Sequence, residues 1–559
     1  MKRVTFAAAL VLFAFCAAHA QDIAGDWEGT LHAGADLHLV LHISKGDGGS
    51  LKATLDSVDQ AAYGIAVSSI TLKDSKLSLG VELVHGTYEG TVASDGGSIA
   101  GTWTQGQPLP LDFKRSTKEH KPAKPSDIDG AWMGTIELGG GIKVRVVFHI
   151  VNTENGLTAT LDSPDQGMKG LPATKVTRDG ATVKVDIEKI GGTFEGQVAA
   201  DSNSIVGTFT QGGPTPLVLH RLKDESEIEL RRPQNPTKPY PYHGEDVTYD
   251  NKIQNVTLAA TLTIPQGKGP FPAVVLITGS GPQDRDESLL GHKPFLVLSD
   301  YLTRHGIAVL RADDRGTAKS TGNFATATTA DFATDTEAGI NYLKTRPEVD
   351  THKIGLIGHS EGGIIAPMIA ARNPDVAFIV MMAGSGVPGD EILVAQVEAI
   401  AESSGKTHDE AVKAGAKQRE ILTLVKTEKD PAKLEKDLKE KLADEGMEAQ
   451  LGIEIKALTS PWFRYFMSYD PATALRKVTC PVLVLNGEKD KQVPPAQNLP
   501  AIRKALEQAG NKHFEIDELP SLNHLFQTAK TGSPSEYAQI EETIAPVALD
   551  KMSTWILKQ

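Results

Sequence analysis

The sequence is short of cysteine: its 559 residues contain only two, Cys16 and Cys480. Cys16 lies in an apolar run that follows two basic residues and ends in small residues, the pattern of a secretory signal peptide cleaved after Ala20. Loss of residues 1–20 leaves Cys480 alone, which excludes an internal disulfide, so packing must stabilise the fold. We therefore expect an exported, soluble protein, in a bacterial periplasm or outside the cell.

Positive charge and long apolar runs are also scarce. The formal net charge is −14, and such a surface repels phosphate backbones and anionic lipids, which argues against nucleic-acid or membrane-surface binding. After the signal peptide, no apolar run approaches the roughly 20 residues of a membrane-spanning helix. We expect no metal site, because His38 and His42 share a strand face without a third ligand at a suitable spacing.

An internal repeat occupies the first part of the chain. Four segments recur with a shift of 105 residues for the first and 106 for the others: 22–27, 53–57, 86–90 and 101–106 return as 127–132, 159–163, 192–196 and 207–212. This pattern predicts a duplicated unit of roughly 100 residues. The copies are expected at 21–117 and 127–223, with a Pro- and Lys-rich linker at 118–126.

Each copy has the pattern of β-structure. Apolar residues alternate with polar or smaller ones over 37–43 and again over 144–150, a period of two that predicts half-buried antiparallel strands in small sandwiches or half-barrels. Six aromatic residues recur in register, as core residues do, which favours packing over an aromatic binding surface; they are Trp27, Tyr88 and Trp103 in the first copy and Trp132, Phe194 and Phe209 in the second.

The remainder, residues 224–559, alternates strands with helices, which predicts a doubly wound, mostly parallel α/β sheet. Its most informative segment is 358–363 (Gly-His-Ser-Glu-Gly-Gly), which follows an apolar strand at 352–357 and precedes an apolar helix at 364–371. A Gly-x-Ser-x-Gly turn between strand and helix raises the serine Oγ above the carboxyl edge of a sheet. We predict that Ser360 is a nucleophile; the alternative is a structural glycine turn.

An acid and a base follow in the chain order that such a site requires. Asp490 comes just after the apolar strand 481–486, and His524 lies on a loop after the strand 513–516. Ser360, Asp490 and His524 are expected to converge as nucleophile, orienting carboxylate and general base. Glu488 and Asp517 are rival acids, and a loop carboxylate and a surface histidine are the structural alternatives.

Acyl transfer also needs donors for the oxyanion. We expect one in the backbone N–H of Glu361, the residue after the nucleophile. The second is expected in the Gly-rich loop after the strand 273–278, where Ser280 is the preferred donor and Gly281 the next candidate. The alternative is an ordinary turn between a strand and a helix.

These motifs resemble those of bacterial α/β-hydrolases described as carboxylesterases or serine-aminopeptidase-like hydrolases. The resemblance covers roughly residues 240–559 and rests on 278–286, 313–316 (Asp-Asp-Arg-Gly), 358–363, 460–463 and 522–524. It implies a Ser-Asp-His triad at the residues named above and no cofactor. In one departure, Ala318 replaces a glycine of many relatives, which is expected to stiffen a loop near the site and leave the fold unchanged.

A helical insertion is expected at about 387–470, because 391–402, 406–426 and 431–445 are charged, amphipathic and helix-forming. Placed over the carboxyl edge of the sheet, it would act as a cap over the site. Trp462, Phe463 and Phe466 at its end, together with Gly281, are candidates for the substrate pocket, although each aromatic residue could equally pack in a core.

The sequence therefore predicts an exported serine hydrolase, a carboxylesterase that cleaves short- to medium-chain acyl esters through an acyl-enzyme. Its partner would be a small-molecule ester. A second interpretation is an aminopeptidase or oligopeptidase with the same triad, which would need a carboxylate to hold the substrate amine. A third is a non-enzymatic β-repeat binding protein, which the intact triad argues against.

Overall fold

The computed structural model describes residues 22–559 except 33–35, 47–49, 59–61, 82–83, 85, 106, 117–123, 139–141, 154–155, 167, 225–226, 229 and 443–447. The predicted signal peptide and most of the predicted linker lie outside these residues. The chain divides into two compact units: the first contains most of the residues up to Ile228, and the second runs from Glu229 to Gln559.

The first unit contains two curled antiparallel sheets, as the period-two pattern predicts. The strands of the first sheet are β1 (Gly25–His32), β2 (Asp36–Lys45), β3 (Leu51–Ser57), β4 (Ala62–Ala66), β5 (Ser69–Lys73), β6 (Lys76–Val81), β7 (Gly86–Val92), β8 (Ser98–Gln105), β9 (Gln107–Pro110) and β10 (Phe113–Arg115). Their order is β4-β3-β2-β1-β10-β8-β7-β6-β5, with β9 paired to β8. The sheet curls into a half-barrel around one apolar cluster.

The second sheet has the same strand order, without a counterpart of β9. Its strands are β11 (Gly130–Leu138), β12 (Ile142–Thr153), β13 (Gly156–Ser163), β14 (Met168–Pro172), β15 (Lys175–Asp179), β16 (Thr182–Ile187), β17 (Gly192–Val198), β18 (Ser204–Thr210) and β19 (Pro214–Arg221). They lie in the order β14-β13-β12-β11-β19-β18-β17-β16-β15. The six recurring aromatic residues are all buried in the two sheet cores, which confirms packing.

The second unit is built on an eight-stranded, mostly parallel sheet. Its strands are β20 (His243–Asn251), β21 (Val256–Ile264), β22 (Phe271–Ile277), β23 (Ala308–Ala312), β24 (Val349–His359), β25 (Phe378–Met382), β26 (Val482–Gly487) and β27 (Phe514–Leu519). The order is β20-β21-β23-β22-β24-β25-β26-β27, and only the pairs β20–β21 and β21–β23 are antiparallel. The predicted multidomain architecture, with an α/β sheet after all-β sheets, is confirmed.

Helices cover both faces of this sheet, because its central strands are apolar on both faces. On one face lie α1 (Pro294–Arg304) and α11 (Pro546–Ile556); on the other lie α2 (Thr329–Leu343), α3 (Gly362–Ala370), α9 (Ala472–Leu475) and α10 (Pro495–Gln508). Each face has its own apolar cluster, so the strands are held from both sides.

Five helices between β25 and β26 form the insertion that the sequence predicts. They are α4 (Gly389–Ser403), α5 (His408–Thr427), α6 (Pro431–Leu442), α7 (Glu448–Leu458) and α8 (Pro461–Ser468), called the cap below. The cap has its own apolar core, which includes Leu434, Leu438 and Phe463. No helix in the described part of the chain combines the length and the hydrophobicity that a membrane span requires.

Candidate active site

The turn between β24 and α3 holds Ser360 in a strained conformation. Its φ is +52°, a left-handed value that is unfavourable for an L-residue, and its N–H donates to the backbone oxygen of Met382 (2.8 Å). Close packing requires glycine on both sides: a Cβ at Gly358 would come within 2.0 Å of the Gly362 oxygen, and one at Gly362 within 2.2 Å of the Ile277 oxygen. This is the geometry of a nucleophile elbow.

Asp490 and His524 meet beyond the carboxyl ends of β26 and β27. Nδ1 of His524 lies 2.8 Å from Oδ2 of Asp490, and both side chains are buried. Oδ1 of Asp490 accepts the backbone N–H groups of Gln492 and Val493, each at 2.8 Å. These two donors fix the carboxylate, which in turn holds the proton on Nδ1 and leaves Nε2 of His524 as the basic nitrogen.

The predicted nucleophile and base are not hydrogen-bonded to each other. Among the described residues, the hydroxyl of Ser360 has no hydrogen-bonded protein partner, so the structure joins His524 to Asp490 and not to Ser360. The ring of His359, the residue before Ser360, lies 5.0 Å from the ring of His524. In enzymes without substrate, catalytic hydrogen bonds are often long and tighten when substrate binds.

The two rival acids are held elsewhere. Oε2 of Glu488 accepts the backbone N–H of Ser521 at 2.7 Å, which fixes the loop before His524. Asp517 lies 2.6 Å from the ammonium group of Lys551 on α11. Asp490 is therefore the carboxylate that reaches the imidazole.

The Gly-rich loop after β22 lies against Ser360. A Cβ at Gly279 would be 3.4 Å from Cβ of Ser360. The N–H of Gly279 is already donated to Glu287 at 2.8 Å. In the part of the chain that the structure describes, the N–H groups of Ser280, Gly281 and Glu361 donate to no protein acceptor. Those three N–H groups are thus free to bind an oxyanion.

Glu361 also contributes a buried carboxyl group, which the sequence analysis did not consider. Its Oε1 accepts the hydroxyl of Thr329 at 2.7 Å and Nε1 of Trp462 at 2.8 Å. Burial raises the pKa of Glu361 to about 7. The indole of Trp462 thus connects the cap to the residue that follows Ser360.

Asp314, in the Asp-Asp-Arg-Gly motif, holds the Gly-rich loop. Its two oxygens accept the hydroxyl of Thr278 (2.8 Å) and the N–H of Gln283 (2.9 Å), on either side of Ser280 and Gly281. Burial raises the pKa of Asp314 to about 8. The carboxyls of Asp314 and Glu361 line one small cavity with Thr278 and Gly281.

The three aromatic residues predicted for the pocket all lie on α8, in different surroundings. Trp462 and Phe466 are half-buried and stack with their ring centroids 5.5 Å apart. Phe466 also packs towards Ile364 and Met368 of α3, so α8 rests on the helix that follows the elbow. Phe463 is buried in the apolar core of the cap, which makes it the least suited of the three to contact substrate.

Comparison with known proteins identifies the superfamily. The sequence profile of the X-Pro dipeptidyl-peptidase (S15) family matches residues 254–517. Esterase EstD of Thermotoga maritima is 27% identical over 356 residues, which cover 64% of this chain and 76% of that protein. The chain is an α/β-hydrolase. More narrowly, it is a serine hydrolase of the bacterial carboxylesterase-like group.

Other similar proteins match smaller shares of this α/β-hydrolase. An uncharacterized 31.7 kDa protein of Escherichia coli, from the traX-finO intergenic region, is 24% identical over 283 residues, 48% of the hydrolase and 92% of that protein. Among solved structures, the Pyrococcus furiosus esterase Pf2001 has 14% identity and a TM-score of 0.37, over 59% of the hydrolase and 98% of that chain. Est1E of Butyrivibrio proteoclasticus has 19% identity and a TM-score of 0.34, over 56% of the hydrolase and 98% of that chain.

Proposed function

We propose that this hydrolase is a carboxylesterase that cleaves short- to medium-chain acyl esters with Ser360, Asp490 and His524. The observation that carries the proposal is the buried 2.8 Å contact between His524 and Asp490. It lies at the sheet edge where the strained turn presents Ser360. The similarity to Esterase EstD supports an ester as substrate.

The reaction follows from the roles of these groups. Oγ of Ser360 attacks the ester carbonyl while Nε2 of His524 accepts its proton, and Asp490 orients the imidazolium that forms. His524 then returns the proton to the departing alcohol. Water activated by the same imidazole hydrolyses the acyl-enzyme. The N–H groups of Glu361 and Ser280 hold the oxyanion in both steps, with Gly281 as the alternative second donor.

The substrate pocket is proposed to lie between the Gly-rich loop and α8. Trp462 and Phe466 offer stacked, half-exposed rings on the cap, and Gly281 offers a backbone with open space beside it. Apolar walls with few polar groups suit an acyl chain.

A peptidase is the second candidate, because the matched S15 profile describes X-Pro dipeptidyl-peptidases. An amide differs from an ester in that its leaving amine must be protonated as it departs and the peptide must be held in register. The carboxyl nearest to the nucleophile in sequence, Glu361, already accepts hydrogen bonds from Thr329 and Trp462. An ester has no amine that a carboxylate must bind, so an ester suits this site better.

Replacement of the nucleophile tests the triad. Ser360→Ala should lower the turnover of p-nitrophenyl butyrate by about 10⁴-fold or more, as loss of a triad nucleophile does. Circular dichroism should show an unchanged fold, and Ser468→Ala, at an exposed position on α8, is the matched control. Residual activity above a tenth of the parent value would mean that another residue is the nucleophile.

A substrate panel tests the choice between ester and peptide. One purified sample is assayed with p-nitrophenyl acetate and butyrate and with aminoacyl and dipeptidyl p-nitroanilides. We expect kcat/KM for the best ester to exceed that for the best anilide by roughly a hundredfold or more. A site without a carboxylate that binds the substrate amine does not stabilise the transition state of amide cleavage. Equal values would assign the enzyme to the peptidases.

We further propose that residues 1–20 direct export and that 224–559 form the catalytic domain. Residues 21–117 and 127–223 are proposed to be tandem copies of one ancestral unit. The identical order of their matching strands supports the duplication, since two unrelated nine-strand sheets would share one order only by coincidence.

A further inference from the structure

His359, the residue before the nucleophile, is buried and makes two hydrogen bonds. Its Nδ1 lies 2.9 Å from Oε1 of Glu287, and its Nε2 lies 3.1 Å from the backbone oxygen of His524. A carbonyl oxygen can only accept, so Nε2 must carry a proton. An ionised carboxylate can only accept as well, which requires a proton on Nδ1. The partners therefore assign a doubly protonated, positively charged ring to His359.

A third contact of Glu287 suits an ionised carboxylate. Its Oε1 also accepts the N–H of Gly279 at 2.8 Å, so one carboxylate oxygen receives two donors. Burial alone would lower the pKa of His359, but the charge and hydrogen bond of Glu287 and the carbonyl of His524 together raise it. A buried carboxylate and a buried imidazolium thus compensate each other, as buried charges must.

The pair connects three parts of the site. Gly279 begins the loop that carries Ser280, the proposed oxyanion donor, while His359 directly precedes Ser360. The second hydrogen bond of His359 ends on the backbone of His524, the proposed base. Glu287 has a left-handed φ of +52°, so the loop adopts an unfavourable conformation that brings this carboxylate under the nucleophile.

We propose that the Glu287–His359 ion pair is a positioning device that couples the oxyanion loop to the catalytic base. The inference rests on the proposed triad. One hydrogen-bonded chain runs from the N–H of Gly279 through Glu287 and His359 to the carbonyl of His524. It ties the loop that carries the proposed oxyanion donor to the backbone of the proposed base. Both side chains of the pair are buried, so their proposed role is positioning and not contact with substrate.

Loss of the charge should loosen both ends of this chain. In Glu287→Gln the amide oxygen still accepts one hydrogen bond, but His359 loses its counter-charge and becomes neutral. A neutral ring has only one N–H. If it is on Nδ1, the bond from Nε2 to the oxygen of His524 is lost; if it is on Nε2, the amide NH2 of residue 287 must face Nδ1 and can no longer accept the N–H of Gly279. Misplacement of catalytic groups by fractions of an ångström acts on the transition state more than on ground-state binding.

The test is a double-mutant cycle on the full chain with p-nitrophenyl butyrate. Glu287→Gln and His359→Asn should each lower kcat about tenfold to hundredfold with KM within about threefold of the parent value. The double variant should be little worse than either single variant, because the two residues act as one unit. The idea is wrong if either single variant keeps half of the parent kcat or if the two losses simply multiply.

A matched control separates positioning from general damage to the core. Asn511 is buried in the same unit, and its side-chain amide donates to the backbone oxygens of Val478 and Cys480, before the amino end of β26. Asn511→Ala should lower the melting temperature while leaving the kcat of the folded enzyme within about twofold, the response of a core residue outside the site. If it lowers kcat as much as His359→Asn, the positioning role is refuted.

Proton NMR provides a readout that does not depend on turnover. The hydrogen-bonded N–H protons of His359 and His524 should give low-field signals, and those of His359 should disappear in His359→Asn. In Glu287→Gln the His524 signal should move, also on a Ser360→Ala background. An unmoved His524 signal contradicts the coupling. Activity in Ser360→Ala would instead contradict the proposed function, so the two failures are distinguishable.

Discussion

At the scale of single residues, the carboxyl of Glu361 makes stability depend on pH. Its pKa is about 7 in the fold, against an ordinary value of 4.5. Between these two values the native state keeps the proton that the unfolded chain releases, so stability decreases as pH rises through this window. The full penalty above pH 7 is about 3 kcal/mol, from 1.36 kcal/mol for each unit of pKa difference.

Glu361→Gln should remove this dependence, because glutamine can accept the same hydrogen bonds without ionising. The melting temperature of the variant should exceed that of the parent at pH 8 and approach it at pH 5, as measured by differential scanning calorimetry. Glu507→Gln, at an exposed position on α10, is the control and should show no such trend. A difference that is constant across this pH range would contradict the assignment.

The positions of the proposed triad are visible in the sequence at this scale, because each follows a recognisable apolar strand. Ser360, Asp490 and His524 all lie at carboxyl ends of strands in the parallel part of the sheet. The pair of Glu287 and His359 could not be predicted, since the two residues are 72 positions apart and the loop before α1 carries no periodic pattern. Their contact depends on how that loop folds back under the elbow.

At the scale of elements, Ala318 shows a local conflict between sequence and backbone. It was expected only to stiffen its loop, but it adopts a left-handed φ of +47°, which glycine accepts more readily. Ala318→Gly should stabilise the protein by about 0.5–1 kcal/mol, since relief of backbone strain exceeds the entropy that glycine adds to the unfolded chain.

Urea unfolding measures this change. Ala416→Gly, at an exposed position within α5, provides a control of opposite sign, with an expected loss of about 1 kcal/mol for glycine in a helix interior. Destabilisation by Ala318→Gly would show that the loop gains more from rigidity than it loses in strain.

The cap shows what periodicity can and cannot predict about elements. Helices were expected at 391–402 and 406–426, and the structure has Gly389–Ser403 and His408–Thr427. The second begins later than expected because Thr407 and Glu410 form a capping box that fixes its first turn. The helix Glu448–Leu458 was not predicted individually. A helix was expected at 431–445, and the structure has Pro431–Leu442. Residues 443–445 of that expectation lie outside those that the structure describes.

At the scale of the whole molecule, every group assigned to the chemistry lies in the second unit. A chain that begins at Lys223 should therefore fold and hydrolyse p-nitrophenyl butyrate with kcat/KM within about threefold of the full-length value, because no residue of the first unit is assigned to binding or catalysis. Circular dichroism reports the fold and the esterase assay reports the site. A folded but inactive product would mean that the β-sheet unit supplies part of the site.

The insertion point of the cap has a consequence for how this enzyme can diversify. The chain leaves the sheet after Met382 on β25 and re-enters at Val482 on β26, and these two strands are direct neighbours. Because the two strands are parallel and Met382 lies opposite Leu485, the chain leaves at the carboxyl edge of the sheet and returns to its amino edge by way of α9. An insertion after Met382 therefore begins at the edge where the proposed triad lies, while α9 fixes its return by packing on the sheet core. Exchange of the cap would accordingly alter the proposed substrate pocket and leave Ser360, Asp490 and His524 in place.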